Sequence, residues 1–160
     1  DTELALDLGC GYGTFSIPAA REINGELLAI DSDPEMLAVA RRHAANVDNI
    51  RFEQRDFVEL GTGLEDACAD FVMLFNILHL EDPAPLLREA HRVLKSDGTV
   101  AVIHWQPDPS TPRGPPMSMR PSPDDLIAQA RAAGLFSQEA VIDLPPHHYG
   151  LRLRSNPGPM

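Results

Sequence analysis

Residues 4–13 read L-A-L-D-L-G-C-G-Y-G, and a second apolar run, Glu26–Asp31, ends on a carboxylate. No other stretch limits the fold as tightly. A short apolar run followed by glycine at every second position predicts a buried strand, a sharp turn and then a helix. Gly9, Gly11 and Gly13 let the main chain turn and come close to a ligand, because no Cβ intrudes. Asp31 can accept hydrogen bonds from both hydroxyls of a ribose, a charge-assisted contact of about 1.5–3 kcal/mol. The layout predicts a site for a nucleoside-containing cofactor.

The glycine spacing narrows the choice. A dinucleotide fingerprint, G-x-G-x-x-G, needs its third glycine where Thr14 stands, whereas this chain has G-x-G-x-G and none at 14 or 15. A single glycine-rich turn is also an ordinary strand-to-helix loop, so the rest of the chain must decide.

Beyond a first strand over Glu3–Leu8 and a helix over Gly13–Glu22, the pattern predicts strands at Glu26–Asp31, Ile50–Gln54, Asp70–Phe75 and Thr99–His104. Asp33 caps a helix with Pro34 at its first position, and Leu37, Ala40 and Ala44 recur on one face. Asp82-Pro83 starts another, with the stripe Leu86, Leu87, Ala90, Val93 and Leu94, and Asp97-Gly98 supplies the turn after it. Seven of the 17 residues Pro107–Pro123 are proline, so this stretch is a stiff loop rather than a helix or inner strand. Ser122-Pro123 with Asp125 restarts a helix that stops at Gly134, and Gln138–Leu144 and His148–Arg154 close the chain as strands. Strands alternating with helices imply a parallel sheet covered on both faces.

At 160 residues the chain predicts a single domain with a proper core. No apolar run is long enough to span a bilayer and no basic-then-apolar leader is present, so a cytoplasmic protein is expected. Against 24 Asp and Glu stand only 13 Lys and Arg, a net charge of −11 that disfavours nucleic-acid partners. Cys10 and Cys68 lie far apart and form no C-x-x-C pair, which predicts reduced structural thiols and no metal site.

The stretch Asp7–Ala20, D-L-G-C-G-Y-G-T-F-S-I-P-A-A, resembles motif I of the class I, seven-strand S-adenosylmethionine (SAM) methyltransferases, and the element order resembles their plan over nearly the whole chain. The resemblance implies a Rossmann-like three-layer α/β/α sandwich with a seven-stranded, mostly parallel sheet and an antiparallel last strand. It implies methyl transfer from SAM to a small-molecule acceptor. The family's helices ahead of motif I have no counterpart here, so residues 1–160 are expected to form a trimmed SAM-binding domain with a Pro-rich loop at 106–121. A SAM-binding module without turnover is the main alternative, and an NAD-dependent oxidoreductase is a further one, disfavoured by the glycine spacing.

In open α/β sheets ligands bind beyond the carboxyl ends of the strands. By the resemblance, Asp7 braces the glycine turn or the methionine end of SAM, the turn from Gly9 through Cys10 and Gly11 to Gly13 surrounds it, and Asp31 holds the ribose. The main chain of Ser32 lies by the adenine, Asp56 and the Phe57 N–H read its edge, and the Asn76 carbonyl receives the ammonium group. His79 is a candidate for substrate contact or general base, with packing or hydrogen bonding as the alternative, and His104, expected on the same rim and pointing to the substrate side, is the other candidate base. Trp105 is a candidate substrate wall or a hinge beneath the Pro-rich loop, and Arg113 a partner for an acidic substrate group or a solvated charge. The acceptor itself is not readable, and neither is the oligomeric state.

Overall fold

The computed structural model describes residues 2–111, 113–132 and 136–155, and of 136–139 the main chain only. Seven strands form one sheet: β1 (Leu4–Leu8), β2 (Glu26–Asp31), β3 (Ile50–Gln54), β4 (Ala69–Phe75), β5 (Leu94–Trp105), β6 (Phe136–Leu144) and β7 (His148–Ser155). The helices are α1 (Ser16–Glu22), α2 (Pro34–His43), α3 (Phe57–Leu60), α4 (Ala84–Val93) and α5 (Pro123–Ala132). The strand order is β3-β2-β1-β4-β5-β7-β6. β7 runs antiparallel to both of its neighbours, and the other strands run parallel to one another. The Rossmann-like plan is therefore present, with order reversing between β1 and β4.

Alternation along the strands divides the core. Leu6, Leu8, Leu28, Val72, Leu74 and Val102 face α4 and α5, packing on their stripe of Leu86, Leu87, Ala90 and Leu126. Ala5, Leu27, Ala29 and Met73 face the other way, with Leu37 of α2 and Ala20 of α1. The small residues on this second face let α1 and α2 approach closely. Asp33 caps α2 by accepting from the N–H groups of Glu35 and Met36. Ser122 and Asp125 cap α5 reciprocally, Ser122 N–H to Asp125 Oδ2 at 3.0 Å and Asp125 N–H to Ser122 Oγ at 3.2 Å.

Several strand ends shift by one or two residues from the sequence reading, and three differences have a physical cause. α1 starts at Ser16, not Gly13, because Gly13 has φ +78° and its N–H closes a turn on the Cys10 carbonyl. Leu94 is extended and opens β5 instead of completing the α4 stripe, pairing with Ala69. Pairing then resumes at Phe71 with Thr99, so the chain around Asp97-Gly98 bulges within one strand where a separating turn was expected. Cys68 is half-buried just ahead of β4. The expected stop at Gly134 lies outside the described residues, as does Pro112.

Candidate functional site

The reversal between β1 and β4 brings the end of β1, the glycine turn, the end of β2 and the segment after β4 together. Gly9 and Cys10 both donate their N–H to the Ile30 carbonyl, at 2.8 and 3.1 Å, and this folds the turn over the end of β2. Gly9, Gly11 and Gly13 all have positive φ. A Cβ on Gly9 would stand 3.0 Å from the Ile77 side chain, and one on Gly13 would stand 3.0 Å from Ile17. Gly11 is different. A Cβ there would meet nothing nearer than the Met36 sulfur at 3.8 Å, so open space lies above it.

Asp31 is the hinge of this arrangement. Its Oδ2 accepts the Gly11 N–H at 2.8 Å, and its Oδ1 accepts the Asp33 N–H at 2.9 Å. Each oxygen keeps a lone pair, so the carboxylate can hold the turn and still accept from two ligand hydroxyls. Asp7 lies beneath, with 2% of its surface exposed. Ser16 donates its hydroxyl to Asp7 Oδ2 at 2.5 Å. Burial pushes the Asp7 carboxyl up to about 7, with the Ser16 hydrogen bond opposing and the Asp31 charge adding. Cys10 is buried, and burial raises its thiol far above the usual range, which leaves it unreactive.

Asn76 follows the last residue of β4 at φ +55°, a left-handed residue on the rim, and its N–H is held by the Ile103 carbonyl at 2.7 Å. Its Oδ1 is buried without a hydrogen-bond partner. Ser32 is exposed, and its carbonyl accepts from Gln54 Nε2 at 3.4 Å. Asp56 is exposed and caps α3 through the Glu59 N–H at 3.1 Å; the Phe57 ring is buried on the α4 side. Tyr12 and Phe15 are exposed beside the turn, and Phe15 packs edge-on against Phe75 at 5.0 Å.

His104 does not stand on an open rim. It has no exposed surface, its ring lies 6.3 Å from His79 and 6.1 Å from Tyr149, and burial lowers it to about 4. Its Nδ1 lies 3.3 Å from the Trp105 carbonyl, which selects the tautomer with the proton on Nδ1. His79 is half-buried, and its Nδ1 has no partner. Trp105 is half-buried against His148 at 4.2 Å and under the Pro-rich loop. The Arg113 side chain is exposed.

Ser16, Ile77 and Tyr149 pack against these residues without having been singled out in the sequence. Ser16 lies nine residues beyond Asp7, and no spacing rule links them. Ile77 only matters because it fills the space that Gly9 leaves. Tyr149 donates its hydroxyl to the Pro121 carbonyl at 2.7 Å, a long-range contact with no local signature.

The sheet order, with a glycine turn tied to the carboxylate that ends β2, defines a Rossmann-like domain of the methyltransferase type. A profile described as a methyltransferase domain matches residues 2–134, and the chain belongs to that family. An uncharacterized 37.1 kDa protein in transposon TN4556 of Streptomyces fradiae is 39% identical over 109 residues, 66% of this chain and 30% of that protein. A demethylmenaquinone methyltransferase of Staphylococcus aureus is 32% identical over 102 residues, 62% of this chain and 42% of that protein. The chain thus spans less than half the length of these relatives. A SAM-dependent methyltransferase from Aquifex aeolicus shares the fold at a TM-score of 0.81 over 94% of this chain and 81% of its own, with 23% identity. The [4+2]-cyclase SpnF also shares it, at a TM-score of 0.77 over 98% of this chain and 76% of its own, with 18% identity.

Proposed function

We propose that this chain transfers a methyl group from S-adenosylmethionine to a small-molecule acceptor in the cytoplasm. The observation that carries the reading is the glycine turn tied to Asp31 with open space above Gly11. The chain's own packing requires the absence of a Cβ at Gly9 and Gly13, but at Gly11 no protein atom fills the space. The residues present fit the cofactor: a carboxylate with free lone pairs, a main-chain cradle and a partnerless buried Asn76 Oδ1 on one rim.

When bound, the cofactor supplies a methyl group made electrophilic by its sulfonium. In this reading Asp31 holds the ribose hydroxyls, and Asp7 braces the turn and favours a cationic methionine end when ionised. Gly9, Cys10, Gly11 and Gly13 form the cradle. The left-handed Asn76 presents its carbonyl to the ammonium group, and Ser32, Asp56 and the Phe57 N–H border the adenine. His79 orients the acceptor, with the neutral His104 behind it, and Trp105 and Arg113 lie on the acceptor side. Alignment and exclusion of water do most of the catalytic work. The similarity to a demethylmenaquinone methyltransferase makes a quinone-type acceptor the first to try. The net charge of −11 favours a small molecule over nucleic acid. No helix among the described residues is long and apolar enough to cross a membrane.

A second reading, cofactor binding without turnover, is favoured by the complete burial of His104. Calorimetry with SAM and its demethylated product, beside Asp31→Ala, tests the shared step. Binding near the micromolar range is expected, weakened at least about tenfold by the substitution, or about 1.4 kcal/mol. Failure of the folded wild type to bind, or an indifferent Asp31→Ala, overturns the cofactor assignment. Turnover of a short-chain demethylmenaquinone or another acceptor then separates the two readings.

A further inference from the structure

Arg120 closes the Pro-rich stretch, and its guanidinium faces main-chain carbonyls from both limbs of the loop. Nε donates to the Pro115 carbonyl at 2.8 Å and Nη2 to Arg113 at 3.0 Å. Nη1 reaches the carbonyls of Asp108 at 3.3 Å and Gln106 at 3.4 Å. The same group lies 5.9 Å over the Trp105 ring. One planar cation thus gathers four carbonyls of a loop whose prolines, lacking N–H groups, offer few donors of their own; of the four, Asp108 also accepts the Thr111 N–H at 3.1 Å.

The loop is pressed onto Trp105 by a second device. Gly114 has φ +109°, and a Cβ there would stand 2.8 Å from the indole, so only glycine allows this approach. Both ends are fixed to β7 and its preceding turn: the Gln106 N–H donates to the His147 carbonyl at 2.8 Å, and Tyr149 donates to Pro121 at 2.7 Å.

The end of this loop forms one wall of a cleft of about 440 Å³. Met119, Arg120 and Pro121 face Leu78 and Leu80 after β4, with Gln129 of α5 across from them. None of its lining residues belongs to the glycine turn. His79 sits between two of them, three residues beyond Asn76, so the cleft adjoins the segment that borders the cofactor rim.

We propose that Arg120 is the positioning residue of the acceptor side: by gathering the carbonyls of Gln106, Asp108, Arg113 and Pro115 it holds the described parts of the loop against Trp105 and gives the cleft that receives the acceptor a fixed wall. The ligand assigned to the cleft rests on the methyl-transfer reading, whereas the loop geometry stands without it. The loop is a preformed wall, and its shape selects acceptors without contributing to cofactor affinity.

Trp105 is the single tryptophan, so its fluorescence reads the loop directly. Arg120→Ala is expected to shift the emission to the red and raise acrylamide quenching about threefold, with faster proteolytic nicking between residues 107 and 119. SAM affinity should stay within about twofold of wild type, and with the acceptor found by screening KM should rise about tenfold at nearly constant kcat. Arg120→Lys should resemble Arg120→Ala, because a single ammonium cannot span both limbs. Gly114→Ala should give the same emission change with Arg120 intact, and it carries the test should Arg120→Ala fail to fold. Unchanged emission and quenching overturn the proposal. So does restoration by lysine, or an equal loss of SAM affinity, which would make Arg120 a support of the whole rim. A wild type that binds no SAM overturns the methyl-transfer reading instead and leaves the fluorescence arm standing.

Discussion

At Gly11 a left-handed φ of +52° coincides with open space, and substitutions can separate the two. Asparagine tolerates a left-handed backbone but fills the space. Gly11→Asn should therefore change stability by no more than about 1 kcal/mol while weakening SAM binding at least about tenfold. Gly9→Ala should instead destabilise the fold itself, since its Cβ would press on Ile77 at 3.0 Å. Chemical denaturation beside calorimetry distinguishes them, and equal loss of stability in both variants would contradict the assignment of that space to the cofactor. Asp7 gives a pH signature. Its folded value is raised from 3.8 to about 7, so the stability its protonated form contributes is complete below its ordinary value and lost as pH rises through about 7. Asp7→Asn should remove this loss, measured as the urea midpoint between about pH 5 and pH 8. A wild-type midpoint that falls no further than the variant's over that range would show that Asp7 is already ionised.

Among the elements, α4 is tied to the 61–66 loop by a compact ionic cluster. Glu89 Oε1 accepts from both the N–H and the hydroxyl of Thr62 at 2.7 Å, and Arg92 binds Glu89 at 2.8 Å and the Leu64 carbonyl at 3.0 Å. The Arg92 hydrogen bond, with those from Thr62, lowers Glu89 from 4.5 to about 2 against the effect of burial. Its contribution is therefore present above about pH 4.5 and lost as pH falls toward about 2. Glu89→Gln should cost about 2 kcal/mol at pH 7 and flatten the acid limb of the stability curve. An acid limb identical to wild type would place the acid sensitivity elsewhere. Glu89 and Arg92 stand three residues apart on α4, a local pair, but their ties to Thr62 and Leu64 were invisible in the sequence, because those partners are 27 and 28 residues away. The strands that hold the site were legible, since buried parallel strands read as plain apolar runs. β2 lies at the residues expected of such a run, and β3, which reads I-R-F-E-Q with no buried residue, also lies where it was expected. The boundary at Leu94 was not, because an apolar residue one position past a helical stripe suits either the helix face or the next strand. His104 misled for a related reason: alternation places it at the carboxyl end of β5, but the covering of that end by Tyr149 and the residues after β4 is a tertiary matter.

Across the whole molecule the sheet is covered unevenly. Among the described residues, α4 and α5 pack on one face from β1 to β7, while α1 and α2 cover the other only over β1 to β3 and its margin at β4. Beyond that margin lies an apolar trough of about 320 Å³ along β4, β5, β7 and β6, with Phe71, Phe75, Ala101, Ile103, Ile142 and Leu144 along it. Inner strands bare on one side are unusual, and an apolar surface of this kind drives association. At pH 7 the net charge of −11 opposes that tendency by repulsion between copies. The two effects depend differently on salt. Screening removes the repulsion, with a Debye length of about 3 Å at 1 M ionic strength, and leaves the apolar attraction in place. The 160-residue chain should therefore self-associate as salt is raised, which light scattering or sedimentation would follow. Ile142 is the position to probe, being 46% exposed on the edge strand β6, where a charge disturbs little packing. Ile142→Glu should leave thermal stability within about 0.5 kcal/mol of wild type and suppress the salt-induced association. If the variant associates as readily as wild type, the bare sheet face is not the surface that drives it, and exposed Tyr12, Leu60 and Met117 become the next positions to change.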